Sequence, residues 1–309
     1  MLAGEAYVRS TALMGTTVTI ETIGHADPED VVDRALAWFR AVEDCCSRFD
    51  PASEVSSLLS HAGEEVAVSP MLFGAVQFAL ALAQETDGAF DPSIGHLLEA
   101  RGDNVEYRTG TIVDTATVPM PATSWRDVRI NADRGTITLA RPLMLELGAV
   151  AKGLAIDLAA RELRDVGNFA IDAGGDLYLG GTNAARERWT VGIRHPRDAS
   201  GLLETLHVSD LAVCTSGDYA RRFATRDGLV NHHIVDARSR QTAERSISAT
   251  VVAGSAMVAD ALSTATFVLG AHDGIALLER HGVDGFIVSS SMERHATRGM
   301  HRFAEAVSA

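Results

Sequence analysis

A segment near the end of the chain, residues 255–270, reads SAMVADALSTATFVLG and is apolar on nearly every side when drawn as a helix. Such a helix is stable in water only if other elements bury most of its surface. The chain has 309 residues, of which 46% are hydrophobic and 22% charged, so it can form a sizeable core. The segment therefore predicts a helix over residues 256–269, buried inside a globular fold.

Strand-like and helix-like stretches alternate along the rest of the chain, and no linker separates two halves. Many strand-like stretches are joined by short turns rather than helices, which favours antiparallel pairing. The pattern predicts one domain over residues 1–309, of the α/β (α+β) class, with a mixed or antiparallel sheet and packed helices. The predicted strands are 14–23, 143–147, 169–172, 176–179, 189–193, 204–208, 211–215, 250–252 and 286–289, with a further candidate around Ile234.

Two of the predicted helices have clear start signals, in which a capping residue precedes a proline. Asp27-Pro28 opens a helix that runs to about Arg48, and Ser69-Pro70 opens one that ends near Gly88. A further helix is predicted over residues 149–166, closed by Gly167. Residues 104–121 are polar and predict a surface loop, and a hairpin is predicted around residues 133–135.

Charge and cysteine content exclude several classes of function. The net charge is −14 and the isoelectric point is near 5.2, so the surface repels nucleic acid and anionic lipid. The cysteines Cys45, Cys46 and Cys214 have no metal-ligand spacing and predict three reduced thiols. The sequence has no signal-peptide pattern and no apolar run of the roughly 20 residues that span a bilayer. We therefore expect a cytoplasmic protein without membrane insertion.

The main polar residues of the apolar helix are Asp260, Ser263 and Thr264. Their spacing of i, i+3 and i+4 places the carboxylate and the two hydroxyls on one face. A buried carboxylate needs a partner, and Mg²⁺ takes oxygen ligands of these kinds. The alternative is structural: Asp260 pairs with an arginine and Thr264 bonds to a carbonyl one turn earlier.

Lys152 lies in the first turn of the helix predicted to start at Ala149, where the helix dipole disfavours a cation. It shares a stripe with apolar residues that face the core, which suggests an anionic partner. A diphosphate at the helix N-terminus fits this requirement. The alternative is that Lys152 extends to solvent or pairs with Glu146.

Two weaker signals come from glycine-rich turns and from a pair of histidines. The turns at residues 87–92, 172–176 and 215–219 allow backbone amides to approach a ligand, but each is also common in ordinary turns. His232 and His233 lie in a predicted strand, where adjacent side chains point to opposite faces, so at most one of them can face a site.

Taken in order, these segments resemble the ApbE family of FAD:protein FMN transferases. The resemblance covers residues 14 to about 270, and its most specific segments are KGLAID and ADALSTA. The matching stretches are MGTTVTI, SRFDPASEVSSL, TDGAFDPSIGHL, ELGAVAKGLAIDLAA, AIDAGGDLYLGG, CTSGDYARRF, HHIVD and VADALSTATFVLG. The resemblance implies a single ApbE-type, T-fold-like domain that binds FAD and Mg²⁺.

The resemblance also implies roles for individual residues. Asp260 and Thr264 would be Mg²⁺ ligands together with the backbone carbonyl of Ala149. Lys152 would lie beside the diphosphate of the flavin nucleotide, and His233 is implied to activate the acceptor hydroxyl. The residues implied to line the FAD pocket are Met14, Phe49, Ala89, Phe90, Asp91, Glu146, Ser216, Gly217, Asp218 and Ile234.

The implied reaction transfers FMN from FAD to a threonine or serine hydroxyl of an acceptor flavoprotein and releases AMP. Two alternatives stay open, a Mg²⁺-dependent FAD pyrophosphatase and a protein that stores FAD without chemistry. The chain departs from the family pattern in three ways. Glu146 stands where the family usually has aspartate, and Ala237-Arg238-Ser239 stands where it usually has Pro-Thr-Gly, which bears on the local loop geometry and on acceptor choice. The lipoprotein signal of the family's exported members is not seen, so we expect a cytoplasmic acceptor. Phe49 stands where the family usually places a tyrosine against the flavin.

Overall fold

The computed structural model describes residues 5–115, 123–220, 222–224 and 230–304, with only the backbone for residues 222–224, 230 and 231. Residues 116–121 of the predicted loop and both ends of the predicted domain lie outside this part. The strands are β1 Ala6–Leu13, β2 Thr16–Ile23, β3 Glu65–Ala67, β4 Val128–Asn131, β5 Thr136–Leu139, β6 Phe169–Ala173, β7 Asp176–Gly180, β8 Trp189–Arg194, β9 Leu202–Val208, β10 Leu211–Gly217, β11 Arg222–Ala224, β12 Val230–His232, β13 Val235–Asp236, β14 Gln241–Thr242, β15 Ser246–Ala253, β16 Asp284–Ser289 and β17 Arg294–Ala296. The α-helices are α1 Pro28–Cys46, α2 Glu54–Ser57, α3 Pro70–Glu85, α4 Gly95–Arg101, α5 Gly148–Glu162, α6 Ala256–Leu269 and α7 Ala271–His281.

An eight-stranded antiparallel sheet forms the centre of the fold, in the order β1-β2-β6-β7-β10-β15-β16-β17. The predicted α/β class with an antiparallel sheet is therefore confirmed. A small sheet in the order β3-β5-β4 and the pairs β8–β9, β11–β12 and β13–β14 lie outside it. Short connections between sequence neighbours account for much of the antiparallel pairing.

Both faces of the central sheet are covered. Helices α5 and α6 pack against each other and against the sheet, and α1 packs against α5. On the other face, side chains of the β8–β9 ribbon such as Trp189 and Leu206 pack with Val252 and Phe286 of the sheet. Strand β15 is buried along its whole length as a result, as expected for a strand between two apolar layers.

Most of the predicted local signals are confirmed. Helix α6 has the predicted bounds. Ser69 caps α3 through its hydroxyl, which accepts a hydrogen bond from the Leu72 N–H at 3.2 Å. The hairpin of β4 and β5 turns at Gly135, where φ is +60°. Asp27 occupies the N-cap of α1 but makes no capping hydrogen bond through its side chain.

Three predictions of secondary structure are wrong in detail. Residues 143–147 are not a strand, although Leu143, Leu145 and Leu147 are buried. This segment packs against the loop before α4 instead, since Glu146 N–H donates to the Pro92 carbonyl at 2.7 Å. Helix α5 ends at Glu162 and continues as a short 3₁₀ turn to Val166. His233 and Ile234 lie between β12 and β13 rather than within a strand.

The three cysteines are free, as predicted, and all three are buried. Cys214 is enclosed by the core, and burial raises the pKa of its thiol. None of the helices in the described part of the chain combines the length and apolar character needed to cross a bilayer.

Candidate active site

The first turn of α6 is fixed to α5 by the carboxylate of Asp157. This side chain accepts hydrogen bonds from the Ala256 N–H at 2.6 Å, the Met257 N–H at 3.1 Å and the Ser255 hydroxyl at 2.6 Å. These groups include N–H donors that have no partner within the helix. The carboxylate also suits the positive end of the helix dipole. The two helices are thereby held in one register, with Lys152 of α5 opposite Asp260 of α6.

Gly153 allows α5 and α6 to come unusually close. A Cβ added at this position would lie 2.5 Å from the Met257 Cα and closer still to the Ala256 carbonyl oxygen. Any larger residue would therefore push the two helices apart. The Gly153 N–H points at α6 and donates to Asp260 Oδ2 at 3.1 Å.

The centre of the site consists of one lysine between two buried carboxylates. Lys152 Nζ lies 3.0 Å from Asp260 Oδ2 and also pairs with Asp176 Oδ2. Asp260 and Asp176 are each 5% exposed. The other oxygen of Asp176 accepts the Thr215 N–H of β10 at 3.0 Å.

This arrangement corrects both structural alternatives considered for these residues. Asp260 pairs with a lysine rather than an arginine, and Lys152 pairs with two aspartates rather than with Glu146. Burial raises the pKa of the Asp260 carboxyl, and the nearby Lys152 ammonium opposes that rise. The ionised form of Asp260 is thus costly in this pocket, and a further cation would stabilise it.

Three hydroxyls form a cluster one turn further along α6. The Ser216 hydroxyl at the end of β10 lies 2.8 Å from Ser263 Oγ and 3.0 Å from Thr264 Oγ1. Ser263 also donates to the Asp260 carbonyl at 2.8 Å, which holds the cluster against the helix. Predicted site residues from β10 and α6 are therefore brought together by the fold.

The predicted Mg²⁺ ligands fit the chemistry of that ion. The helical i to i−4 rule pairs the Ala149 carbonyl with the Gly153 N–H, which also donates to Asp260, so this carbonyl and carboxylate lie near each other. Thr264 follows Asp260 by one turn on the same face of α6. One carboxylate, one hydroxyl and one carbonyl are hard oxygen donors that suit Mg²⁺. Within the described residues no group of three or more His, Cys, Asp or Glu side chains could hold a metal.

Glu146 and Phe49 both contact Arg48, a buried residue that was not singled out from the sequence. The Arg48 guanidinium pairs with Glu146 Oε2 and donates to Asp103 Oδ2 at 2.8 Å. Its Cζ lies 4.0 Å from the centre of the Phe49 ring. Glu146 Oε1 accepts the Gly148 N–H at 2.6 Å, which connects this group to the N-terminus of α5.

The turn that contains Ala89, Phe90 and Asp91 is buried and held by its own side chains. Asp91 Oδ1 accepts the Ser93 N–H at 2.8 Å, and its Oδ2 accepts the Trp125 N–H at 3.0 Å. Burial raises the pKa of this carboxyl, while those two N–H groups lower it. Asp91 therefore shapes the turn in this structure.

The remaining predicted residues lie at several other points of the fold. Met14 lies at the tip of the β1–β2 hairpin with φ of +51°. Asp218, two residues after Ser216, forms a bidentate ion pair with Arg197 at 2.6 and 2.8 Å. Ile234 is buried, and His233 beside it is partly buried in the bend after β12.

The segment after Asp236, where the sequence departs from the family pattern, is held by Arg238. The Arg238 guanidinium binds Asp236 through both carboxylate oxygens, at 3.0 and 2.7 Å. The Ala237 N–H donates to the Ala89 carbonyl at 3.4 Å, so this segment borders the turn that contains Phe90.

Sequence reasoning also missed Asp176, whose position in a glycine-rich turn was too common a signal to single it out. Its side chain becomes notable only when α5 is packed against β7, since that packing places it beside Lys152.

Comparison with known proteins gives one consistent result. A family model described as the ApbE family matches residues 14–287. The FAD:protein FMN transferase of Vibrio cholerae is 30% identical over 279 residues, which cover 87% of this chain and 83% of that protein. The enzyme of the same name from Klebsiella pneumoniae is 29% identical and covers 93% of this chain and 90% of its own length.

Solved structures agree with this result. The crystal structure of the ApbE protein from Thermotoga maritima superimposes with a TM-score of 0.86 at 27% identity and covers 98% of this chain and 100% of its own. The flavin transferase ApbE from Vibrio cholerae gives a TM-score of 0.83 at 27% identity, covering 97% and 99%. The site described above lies within the matched residues.

Proposed function

Because this chain belongs to the ApbE family, we propose that it is an FAD:protein FMN transferase that uses Mg²⁺. The observation that carries the proposal is the buried Asp260, which faces Lys152 at the N-terminus of α5 and precedes Thr264 by one turn. A carboxylate suits a divalent metal and a neighbouring ammonium suits a diphosphate, so the two groups together can hold both.

Substrate binding is assigned to groups on α5 and around it. The Lys152 ammonium, near the start of α5, binds the diphosphate of FAD. The residues around Met14, Phe49 and the turn with Phe90 enclose the flavin. Asp260, Thr264 and the Ala149 carbonyl hold Mg²⁺. When bound, the ion neutralises charge on the diphosphate and on the leaving AMP.

His233 is proposed to accept the proton of the acceptor hydroxyl, a threonine or serine side chain of a flavoprotein. The hydroxyl oxygen forms a bond with the FMN-side phosphorus, and the bond from that phosphorus to the bridging oxygen breaks. AMP leaves with that oxygen, and FMN stays attached to the acceptor through a phosphoester. With water as acceptor the same site would release FMN and AMP.

The deciding experiment mixes the purified protein with FAD, Mg²⁺ and candidate acceptors from the same genome. Both soluble flavin-dependent reductases and cytoplasm-facing segments of membrane complexes belong in the set, because we propose a cytoplasmic acceptor. We expect in-gel flavin fluorescence of one acceptor and a mass increase of one FMN moiety. Release of AMP and FMN without labelled protein would identify a pyrophosphatase, and bound FAD without either product would identify a storage protein.

The proposed Mg²⁺ ligands lead to a prediction for two threonines of α6. Thr264→Val removes a proposed ligand and is expected to lower Mg²⁺-dependent transfer about tenfold to a hundredfold, the range for losing a supporting group at a metal site. Thr266→Val is the matched control, because the Thr266 hydroxyl donates to the Leu262 carbonyl at 2.7 Å and takes no part in the site. Initial rates at several Mg²⁺ concentrations measure both. Equal losses in the two variants would contradict the ligand role of Thr264.

A further inference from the structure

In this site one lysine pairs with two buried carboxylates. The proposed function does not explain why two carboxylates are present. Lys152 Nζ contacts both Asp176 Oδ2 and Asp260 Oδ2, and each aspartate is 5% exposed. With all three groups ionised, the cluster keeps one uncompensated negative charge. A buried excess charge of this kind is costly unless another cation is present.

Asp176 is a fixed anchor rather than an adaptable partner. It begins β7, and its Oδ1 accepts the Thr215 N–H of β10 at 3.0 Å. The turn before it is held by Asp172, whose Oδ1 accepts the Gly175 N–H at 2.8 Å. The orientation of Asp176 is therefore set by the sheet, and its Oδ2 is directed at Lys152.

Asp260 has a different arrangement of its two oxygens. Oδ2 accepts both the Lys152 ammonium at 3.0 Å and the Gly153 N–H at 3.1 Å. Oδ1 accepts no hydrogen bond from the part of the chain that the structure describes. The ammonium thus lies at the same carboxylate that is proposed to bind Mg²⁺, and the two cations compete for it.

We propose that Asp176 is a positioning residue that binds the Lys152 ammonium and so keeps Asp260 available for a divalent cation. Without its charge, the ammonium would pair with Asp260 alone and would oppose metal entry. With it, Lys152 is held between β7 and α6, where it can also meet the diphosphate. The inference rests on the metal site of the proposed function.

The test measures Mn²⁺ binding to the full-length protein by electron paramagnetic resonance of the free ion, with Asp260→Ala to identify binding at this site. Asp176→Asn keeps an oxygen acceptor for the Thr215 N–H but loses the charge. We expect it to weaken Mn²⁺ binding about tenfold, as for the loss of one close charge interaction in a partly wet site. Asp172→Asn removes the same charge from the same turn without contacting Lys152, and is expected to change affinity less than about twofold.

The same substitution in a Lys152→Met protein distinguishes a positioning role of Asp176 from direct electrostatic attraction between Asp176 and the metal. In Lys152→Met no ammonium competes for Asp260, so adding Asp176→Asn is expected to change Mn²⁺ affinity less than about twofold. If Asp176→Asn lowers Mn²⁺ affinity equally in the wild-type and Lys152→Met proteins, the inference is overturned and Asp176 has a direct electrostatic role. No loss in Asp176→Asn alone would overturn it as well. Circular dichroism spectra and melting temperatures of all variants identify any that fail to fold, and the Asp176→Glu variant, which restores the charge, is then expected to recover affinity.

The outcomes distinguish this inference from the proposed function. FMN transfer by the wild-type protein, together with equal losses in the wild-type and Lys152→Met proteins, would leave the function intact and reject the role of Asp176. Absence of Mn²⁺ binding that depends on Asp260 would reject the metal site and this inference with it.

Discussion

Replacing Asp260 by asparagine is expected to abolish most Mg²⁺-dependent FMN transfer, with a loss of about a hundredfold to a thousandfold, the size usual for removing one electrostatic stabiliser of a transition state. The side chain keeps its shape and can still accept the Gly153 N–H, which the carboxylate binds at 3.1 Å. What it loses is the negative charge that holds a divalent cation. Initial rates of acceptor labelling over a range of Mg²⁺ concentrations measure the effect, with FAD binding followed separately.

Asp284 provides the matched control for that substitution. It is 7% exposed against 5% for Asp260, and its carboxylate is paired with Arg302 and accepts the Thr297 hydroxyl at 2.7 Å. Asp284→Asn is expected to lower the melting temperature but to leave the Mg²⁺ dependence of transfer unchanged. Transfer by Asp260→Asn at the wild-type rate and with the wild-type Mg²⁺ dependence would contradict the assignment of Asp260.

Gly153→Ala is expected to lower both the free energy of unfolding and the rate of transfer. The new methyl group would lie 2.5 Å from the Met257 Cα, and backbone atoms cannot rotate away as a flexible side chain does. Alanine gains about 1 kcal/mol of helix propensity over glycine. Overpacking of this severity costs about 3 kcal/mol. The net loss is then about 2 kcal/mol, measured by denaturant unfolding.

The effect on transfer follows from the same displacement. If α5 and α6 separate, Lys152 moves relative to Asp260, and the Gly153 N–H loses its bond to that carboxylate. Gly254→Ala is the control, because a Cβ at Gly254 meets nothing within 4 Å and this position precedes α6. Its unfolding free energy is expected to change by less than about 0.5 kcal/mol. A Gly153→Ala variant as stable and active as wild type would show that the two helices can move apart without cost.

The secondary structure that could be predicted is the part that depends on short-range sequence patterns. The apolar run of α6, the Ser69-Pro70 start of α3 and the turn at Gly135 each depend on neighbouring residues, and each is confirmed. Strand β1 and helix α7 were not predicted. The β1 segment alternates between exposed and half-buried positions, so it lacks the run of apolar residues that identified other strands.

Residues 143–147 show how an apolar pattern can mislead. Four of these five residues are buried, which is what a central strand would require. The segment lies against the start of α4, where the Gly95 N–H donates to the Met144 carbonyl at 3.1 Å. Burial alone cannot distinguish a strand from an extended segment between other elements.

The candidate site could likewise be predicted only in part. The residue types and their order predicted an oxygen-rich metal site and an anion site at the start of α5, and the fold brings Lys152, Asp260, Thr264 and Ser216 together. The roles of these residues in binding Mg²⁺ and FAD stay predictions. The structural alternative for Lys152, a pairing with Glu146, is not observed, since Glu146 pairs with Arg48 and Lys152 with two aspartates.

The sequence by itself determined the buried helix, the family and the kinds of groups in the site, because periodicity, capping and motif order are properties of neighbouring residues. The tertiary structure alone decided which charges meet. Lys152 is separated by 24 residues from Asp176 and by 108 from Asp260, and only the packing of α5 against β7 and the close approach of α5 and α6 at Gly153 bring them together. Contacts at such separations depend on the whole fold, so no local pattern encodes them.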